Sequence, residues 1–103
     1  MHFLVSAKVS KSRDVSNKDF YGVWQRESVA GRELEKAGVP IFKVSGEYEV
    51  ILIIEVDKPA DLDAALHGLP IWMEGYQDMV EVKATALTPY GEWGRQLDQL
   101  AKG

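Results

Sequence analysis

Apolar and polar residues alternate from the start of the chain. Over His2–Val9, Phe3, Val5, Ala7 and Val9 face one way and Leu4, Ser6 and Lys8 the other, the period of two that marks a half-buried strand. The polar run Ser10–Ser16 predicts a loop. From Asn17 to Gly38 the period becomes helical: Phe20, Val23, Trp24, Ala30, Leu34 and Ala37 fall on one stripe. Ser16 or Asn17 can cap this helix, and Asp19 suits the positive end of its dipole. Gly38 suits the position just past its end, and Pro40 prevents continuation. Ile41–Ser45 predicts a second strand and Gly46-Glu47 a turn. Tyr48–Val56 predicts a third, with Tyr48, Val50, Leu52, Ile54 and Val56 on one face and Glu49, Ile51, Ile53 and Glu55 on the other. Both faces of its middle are apolar, as in a sheet covered by helices on one side and by a barrel or subunit interface on the other. Pro59 opens a second helix with Leu62, Ala65 and Leu66 inward, and Gly68 closes it. Ile71–Gln77 reads as a loop rich in large side chains, and Met79–Leu87 as a fourth strand. Pro89 breaks that strand, and Tyr90–Gly103 contains a short amphipathic helix carrying Trp93, Leu97 and Leu100.

The order β-α-β-β-α-β with an added tail predicts an α+β, ferredoxin-like fold: an antiparallel sheet with helices on one face and a C-terminal helical tail. No linker, repeat or low-complexity run interrupts it, so a single domain over 1–103 is expected, with a core of 1–88 and a tail of 89–103. The open sheet face invites a second copy, and two copies stacked sheet to sheet would form a dimeric α+β barrel.

Glu27 breaks the helix stripe. It projects near the centre of the apolar face, one turn from Val23 and Trp24 on one side and from Ala30 and Gly31 on the other. A carboxylate there must be paired, hydrogen-bonded or lining a cavity, because burying it bare is too costly. The readings that follow are a buried ion pair with an arginine or lysine, a helix face wet at that level, or an acid–base group with a raised pKa facing a small-molecule pocket.

Composition narrows the chemistry. With 46% hydrophobic and 27% charged residues, the 103-residue chain is of ordinary globular type. A formal charge of −4 without a basic cluster argues against nucleic-acid partners. The lack of cysteine excludes disulfides, thiolate metal sites and a cysteine nucleophile. The two histidines, His2 and His67, lack metal-ligand spacing, so no metal is expected. No segment has the length to span a bilayer and no basic leader precedes the first strand, so a cytoplasmic protein without membrane association is expected. There is no phosphate-binding loop, dinucleotide fingerprint or nucleophile elbow. Cofactor-free acid–base work is what this inventory supports: one carboxylate removes a proton beside a carbonyl, and neighbouring donors stabilise the enolate oxygen.

Several residues can join Glu27 at such a site. Trp24 flanks it by one turn, as core or as a substrate wall. Lys43, on the strand face opposite Phe42 and Val44, can hold Glu27 ionised, bind a substrate carboxylate or simply be solvated. Tyr48 can donate to a developing enolate or pack within the sheet. His67, at the end of the second helix, is a substrate contact or a solvated helix-end residue. Trp72 and Tyr76, after Pro70, look like a pocket lid or an oligomer contact.

In its ordered pieces the chain resembles the muconolactone delta-isomerase family. Met1-His2-Phe3-Leu4-Val5 is similar to the family's first strand, and Glu27 through Gly38 to its first helix, with glutamate, leucine and terminal glycine in register. Lys43 through Tyr48 resembles the basic residue, glycine and tyrosine of the central hairpin, and Leu62 through Ile71 the second helix with its Leu-Pro element. The likeness covers roughly residues 1–88. It implies barrel-like dimers, often built into larger rings such as decamers, and a double-bond shift within an unsaturated lactone by proton movement, without metal or cofactor. On it, Glu27, Lys43 and Tyr48 carry over as catalytic candidates; Trp24, His67, Trp72 and Tyr76 stand beside them as substrate-contact candidates on their own positions in the chain. The family's histidines at the positions of Leu4 and near Asp63 are missing, and the tail Tyr90–Gly103 replaces a short basic end, so the pocket wall is expected to differ. The function expected is therefore a cofactor-independent isomerase acting on an unsaturated lactone or related carbonyl compound. The alternatives are a cofactor-free cyclase or monooxygenase on a polyketide-like or aromatic intermediate, and a non-catalytic small-molecule-binding subunit.

Overall fold

The computed structural model describes residues 1–103. Strand β1 (His2–Val9) is central, and the sheet order is β2-β3-β1-β4, with β2 (Ile41–Lys43), β3 (Glu49–Glu55) and β4 (Val80–Leu87). Every pairing is antiparallel. The register sets Val5 opposite Leu52 on one side and Ala84 on the other, so apolar residues share one face across the sheet. Phe3 and Val5 on that face are buried, whereas Leu4 between them is exposed. The α+β architecture expected from the sequence is the one observed.

Helix α1 (Asn17–Lys36) starts where Ser16 accepts the Asp19 backbone N–H at 3.1 Å. It ends in a Schellman motif: the N–H of Val39 reaches the Leu34 carbonyl and that of Gly38 the Glu35 carbonyl, both at 3.0 Å. Gly38 takes φ +92°, a left-handed conformation that costs a side-chain-bearing residue strain even though open space surrounds the position. Gly38→Ala is expected to lower stability by about 1 kcal/mol, read as a drop in urea midpoint with an unchanged m-value.

Helix α2 (Pro59–His67) begins with Pro59 in its first turn and buries Leu62. Two expectations about neighbouring segments are corrected. Ile71–Gln77 is not a loop throughout: Pro70–Met73 forms a helical turn, α3, opened by Pro70, and Gln77–Met79 forms a 3-10 turn. Strand β2 stops at Lys43 rather than Ser45, because Val44 through Glu49 closes a turn through Gly46 at φ +82°. The tail forms α4 (Tyr90–Leu100), which buries none of its residues and leaves Tyr90 and Leu100 well exposed.

Only seven of the 103 residues are buried, and they fall into two clusters. Phe20, Val23, Ile71 and Met79 join α1 to the α3 region; Phe3, Val5 and Leu62 join the sheet to α2. A chain of this size can fill one continuous core. Here the two clusters stay separate, and a hollow takes residues from both.

Candidate functional site

That hollow lies between the sheet and its helices, with a volume of about 700 Å³. Val5, Leu52, Ile54 and Val82 form its floor, α1 contributes Val23, Trp24 and Glu27, α2 contributes Leu62 and Leu66, and α3 contributes Ile71 and Trp72. Most of the lining is apolar. Apart from Glu27, its charged residues are Arg32, Glu33, Glu35 and Lys43, all exposed.

Glu27 reaches this wall because it sits in the inward stripe of α1, and the structure leaves it half-buried. Its Oε1 accepts the backbone N–H of Ile71 at 2.6 Å. The reason lies in α3. Pro70 has no N–H, and the N–H groups of Trp72 and Met73 both reach the Leu69 carbonyl at 3.0 Å, so that of Ile71 is left over. Glu27 supplies the acceptor from another element and ties α1 to α3. Its second oxygen has no protein partner and keeps solvent access. Loss of hydration raises the Glu27 carboxyl above the ordinary glutamate range; the Ile71 N–H opposes part of this, and the charge of Glu74 adds to it.

A second tie between the same elements was not legible in the sequence. Arg26 grips Glu74 with both ends of its guanidinium, Nε to Oε2 at 2.7 Å and Nη2 to Oε1 at 2.5 Å. The guanidinium holds the Glu74 carboxyl below its ordinary range. Glu27 and Glu74 therefore give opposite pH dependences. A raised folded pKa means that acidification through it favours the folded state. A lowered one means that stability present above the ordinary glutamate pKa is lost as pH falls through the folded value. Glu74→Gln is expected to lower the thermal midpoint modestly near neutrality, solvent screening the pair. The gap from the unmodified protein should close as pH falls through the depressed Glu74 pKa; a gap that persists in acid would assign the loss to packing.

The other predicted site residues divide. Trp24 and Trp72 line the cavity, Trp72 from α3 rather than from a loop. Lys43 also lines it, from the strand position beside Val50, but makes no ion pair with Glu27; its Nζ lies 6.0 Å from the centre of the Tyr48 ring. Tyr48 lies off the wall. Its hydroxyl is 2.6 Å from that of Tyr21, and its ring meets Trp24 edge-on at 5.4 Å. That hydroxyl pairing raises the Tyr21 pKa. Tyr76 packs behind the wall on the Phe20 cluster, and His67 stands exposed at the end of α2 with its ring 6.4 Å from that of Trp72. Glu27, Lys43, Trp24 and Trp72 are thus brought to one cavity; Tyr48, His67 and Tyr76 are not. Leu62, Leu66 and Leu69 on the wall were not singled out as site residues, although the inward stripe of α2 carries the first two.

No group of three or more histidine, aspartate or glutamate side chains is arranged to hold a metal ion, and no helix is long and apolar enough to cross a membrane. No curated protein sequence matches the chain. Among solved structures, a crystal structure of muconolactone isomerase superposes with a TM-score of 0.69 at 18% identity, covering 86% of this chain and 90% of that one. At that identity the likeness speaks for the fold. The sequence profile of the muconolactone delta-isomerase family matches residues 1–92, through β4 and into the first residues of α4, and the chain belongs to that family.

Proposed function

We propose that the protein is a cofactor-independent isomerase that shifts a carbon–carbon double bond in an unsaturated lactone or related carbonyl compound. Family membership supports an isomerase-like activity. The observation that carries the proposal is the half-buried Glu27 carboxyl on the cavity wall, with one oxygen fixed by Ile71 and the other free. As carboxylate, Glu27 takes a proton from the carbon between the carbonyl and the double bond. The electron pair moves into the carbonyl, giving a dienolate. The same group, now the acid, returns the proton to the far alkene carbon, so composition is unchanged and the double bond has moved into conjugation. Lys43 and the indole N–H groups of Trp24 and Trp72 are the wall's candidate donors for the enolate oxygen.

The test is direct. A β,γ-unsaturated lactone incubated with the protein should give the conjugated isomer, followed by absorbance and by NMR. The rate should rise with pH through an inflection above the ordinary glutamate range, because the base form is required and burial raises its pKa. Tight binding of unsaturated carbonyl compounds with no isomerisation would make this a binding subunit instead. The exposed Leu4, Phe42, Ile53 and Leu87 support a sheet-to-sheet homodimer. Light scattering that gives the mass of one chain at working concentration would overturn that part.

A further inference from the structure

The size and charge of the cavity say more about its occupant than the family name does. We infer that the substrate is a large, uncharged, multi-ring carbonyl compound rather than a small anionic lactone. The class of molecule follows from the cavity; the reaction it undergoes rests on the isomerase reading above.

Volume is the first argument. About 700 Å³ lies within the roughly 300–1,000 Å³ range of pockets that enclose drug-sized ligands. At ~30 Å³ for each water, it would hold about two dozen. A single-ring lactone would leave most of that space wet and most of the apolar wall uncovered, forgoing the contacts that hold a ligand in place. A multi-ring skeleton covers more of the apolar wall, which includes Trp24, Trp72, Leu62 and Leu66.

Charge is the second argument, and it is independent of size. The half-buried ionisable group on the wall is Glu27, itself acidic. The cationic lining residues, Arg32 and Lys43, are exposed, and the equally exposed Glu33 and Glu35 offset them. Arg32 is also turned back onto its own helix, its Nε donating to the Ser28 carbonyl at 3.2 Å. The Ser28 hydroxyl donates to the Gln25 carbonyl at 2.8 Å and is not free to donate to an anion. With Lys43 engaged at the enolate oxygen and Arg32 turned back onto its helix, a substrate carboxylate carried inside would face Glu27 without a further free cation on the wall, losing its hydration and gaining like-charge repulsion. An uncharged carbonyl compound meets neither cost.

The experiment compares two probes on the intact protein: a tetracyclic β,γ-unsaturated steroid ketone, and a monocyclic β,γ-unsaturated lactone carrying a carboxylate. Binding is read by calorimetry and isomerisation by absorbance. The steroid ketone should bind more tightly and be turned over with a kcat/KM at least about 100-fold higher. A higher kcat/KM for the lactone acid would overturn the substrate class while leaving the isomerase reading intact. Preferential binding of the steroid ketone with neither probe isomerised would support the substrate class and remove the isomerase reading. Failure of the steroid ketone to bind would overturn the inference whatever the lactone does.

Discussion

Glu27→Gln is expected to cut kcat by about 10²–10⁴-fold while the fold persists. The two consequences separate because Glu27 does two things. Its Oε1 accepts the Ile71 N–H at 2.6 Å, and an amide oxygen at the same position can accept it as well. The amide cannot take up and return a proton. Glutamine therefore keeps the tie between α1 and α3 and removes the chemistry. Glu27→Ala removes both and leaves the Ile71 N–H of a buried residue without a partner, at about 1–3 kcal/mol. The check is turnover alongside thermal unfolding for both variants. Near-unmodified turnover by Glu27→Gln would reduce Glu27 to a tether and end the proton-transfer proposal. A glutamine variant as unstable as the alanine one would show that charge, not the hydrogen bond, holds α3.

Phe20→Ala should cost about 3–5 kcal/mol, a large part of the ~5–15 kcal/mol by which small domains are stable. Phe20 is 1% exposed and is the largest of the fully buried side chains. It anchors the cluster with Val23, Ile71 and Met79, and its ring meets those of Tyr21, Trp24 and Tyr48 at 5.2 to 5.9 Å. With a hollow already beside it, the space left by truncation has few neighbours able to close over it, so the loss should lie towards the upper end for such changes. Chemical unfolding measures it. A loss under about 1 kcal/mol would show that the cluster relaxes freely and that Phe20 is not its anchor.

The parts of this molecule that were legible in its sequence are those written as a period. Phe3 and Val5 alternate with Leu4, and the strand follows; Phe20, Val23 and Glu27 share a helical stripe, and the carboxyl on an apolar wall follows. Gly38 and Pro40 punctuate α1 clearly enough to place its end within two residues. The helical turn Pro70–Met73 was missed because four residues contain barely one period; Pro70 at its start was the available sign. Partners between elements were not legible at all. Arg26 and Glu74 lie 48 residues apart, and no local pattern distinguishes that arginine from a solvated one. The same limit applies to Tyr48. Its place at the end of the hairpin was evident, but that its hydroxyl meets Tyr21 rather than the cavity depends on how α1 lies over the sheet.

The neighbouring residues Arg26 and Glu27 fasten the α3 region at two points, one through Glu74 and the other through Ile71. Such double anchorage makes the part of the wall built by α1 and α3 rigid, whereas Leu62, Ala65 and Leu66 line it from α2, which makes no side-chain hydrogen bond to a neighbouring element. A lineage adapting this scaffold to new guests would therefore be expected to diversify along α2, where a swap of one aliphatic side chain for another reshapes the chamber without disturbing the proton-handling residue.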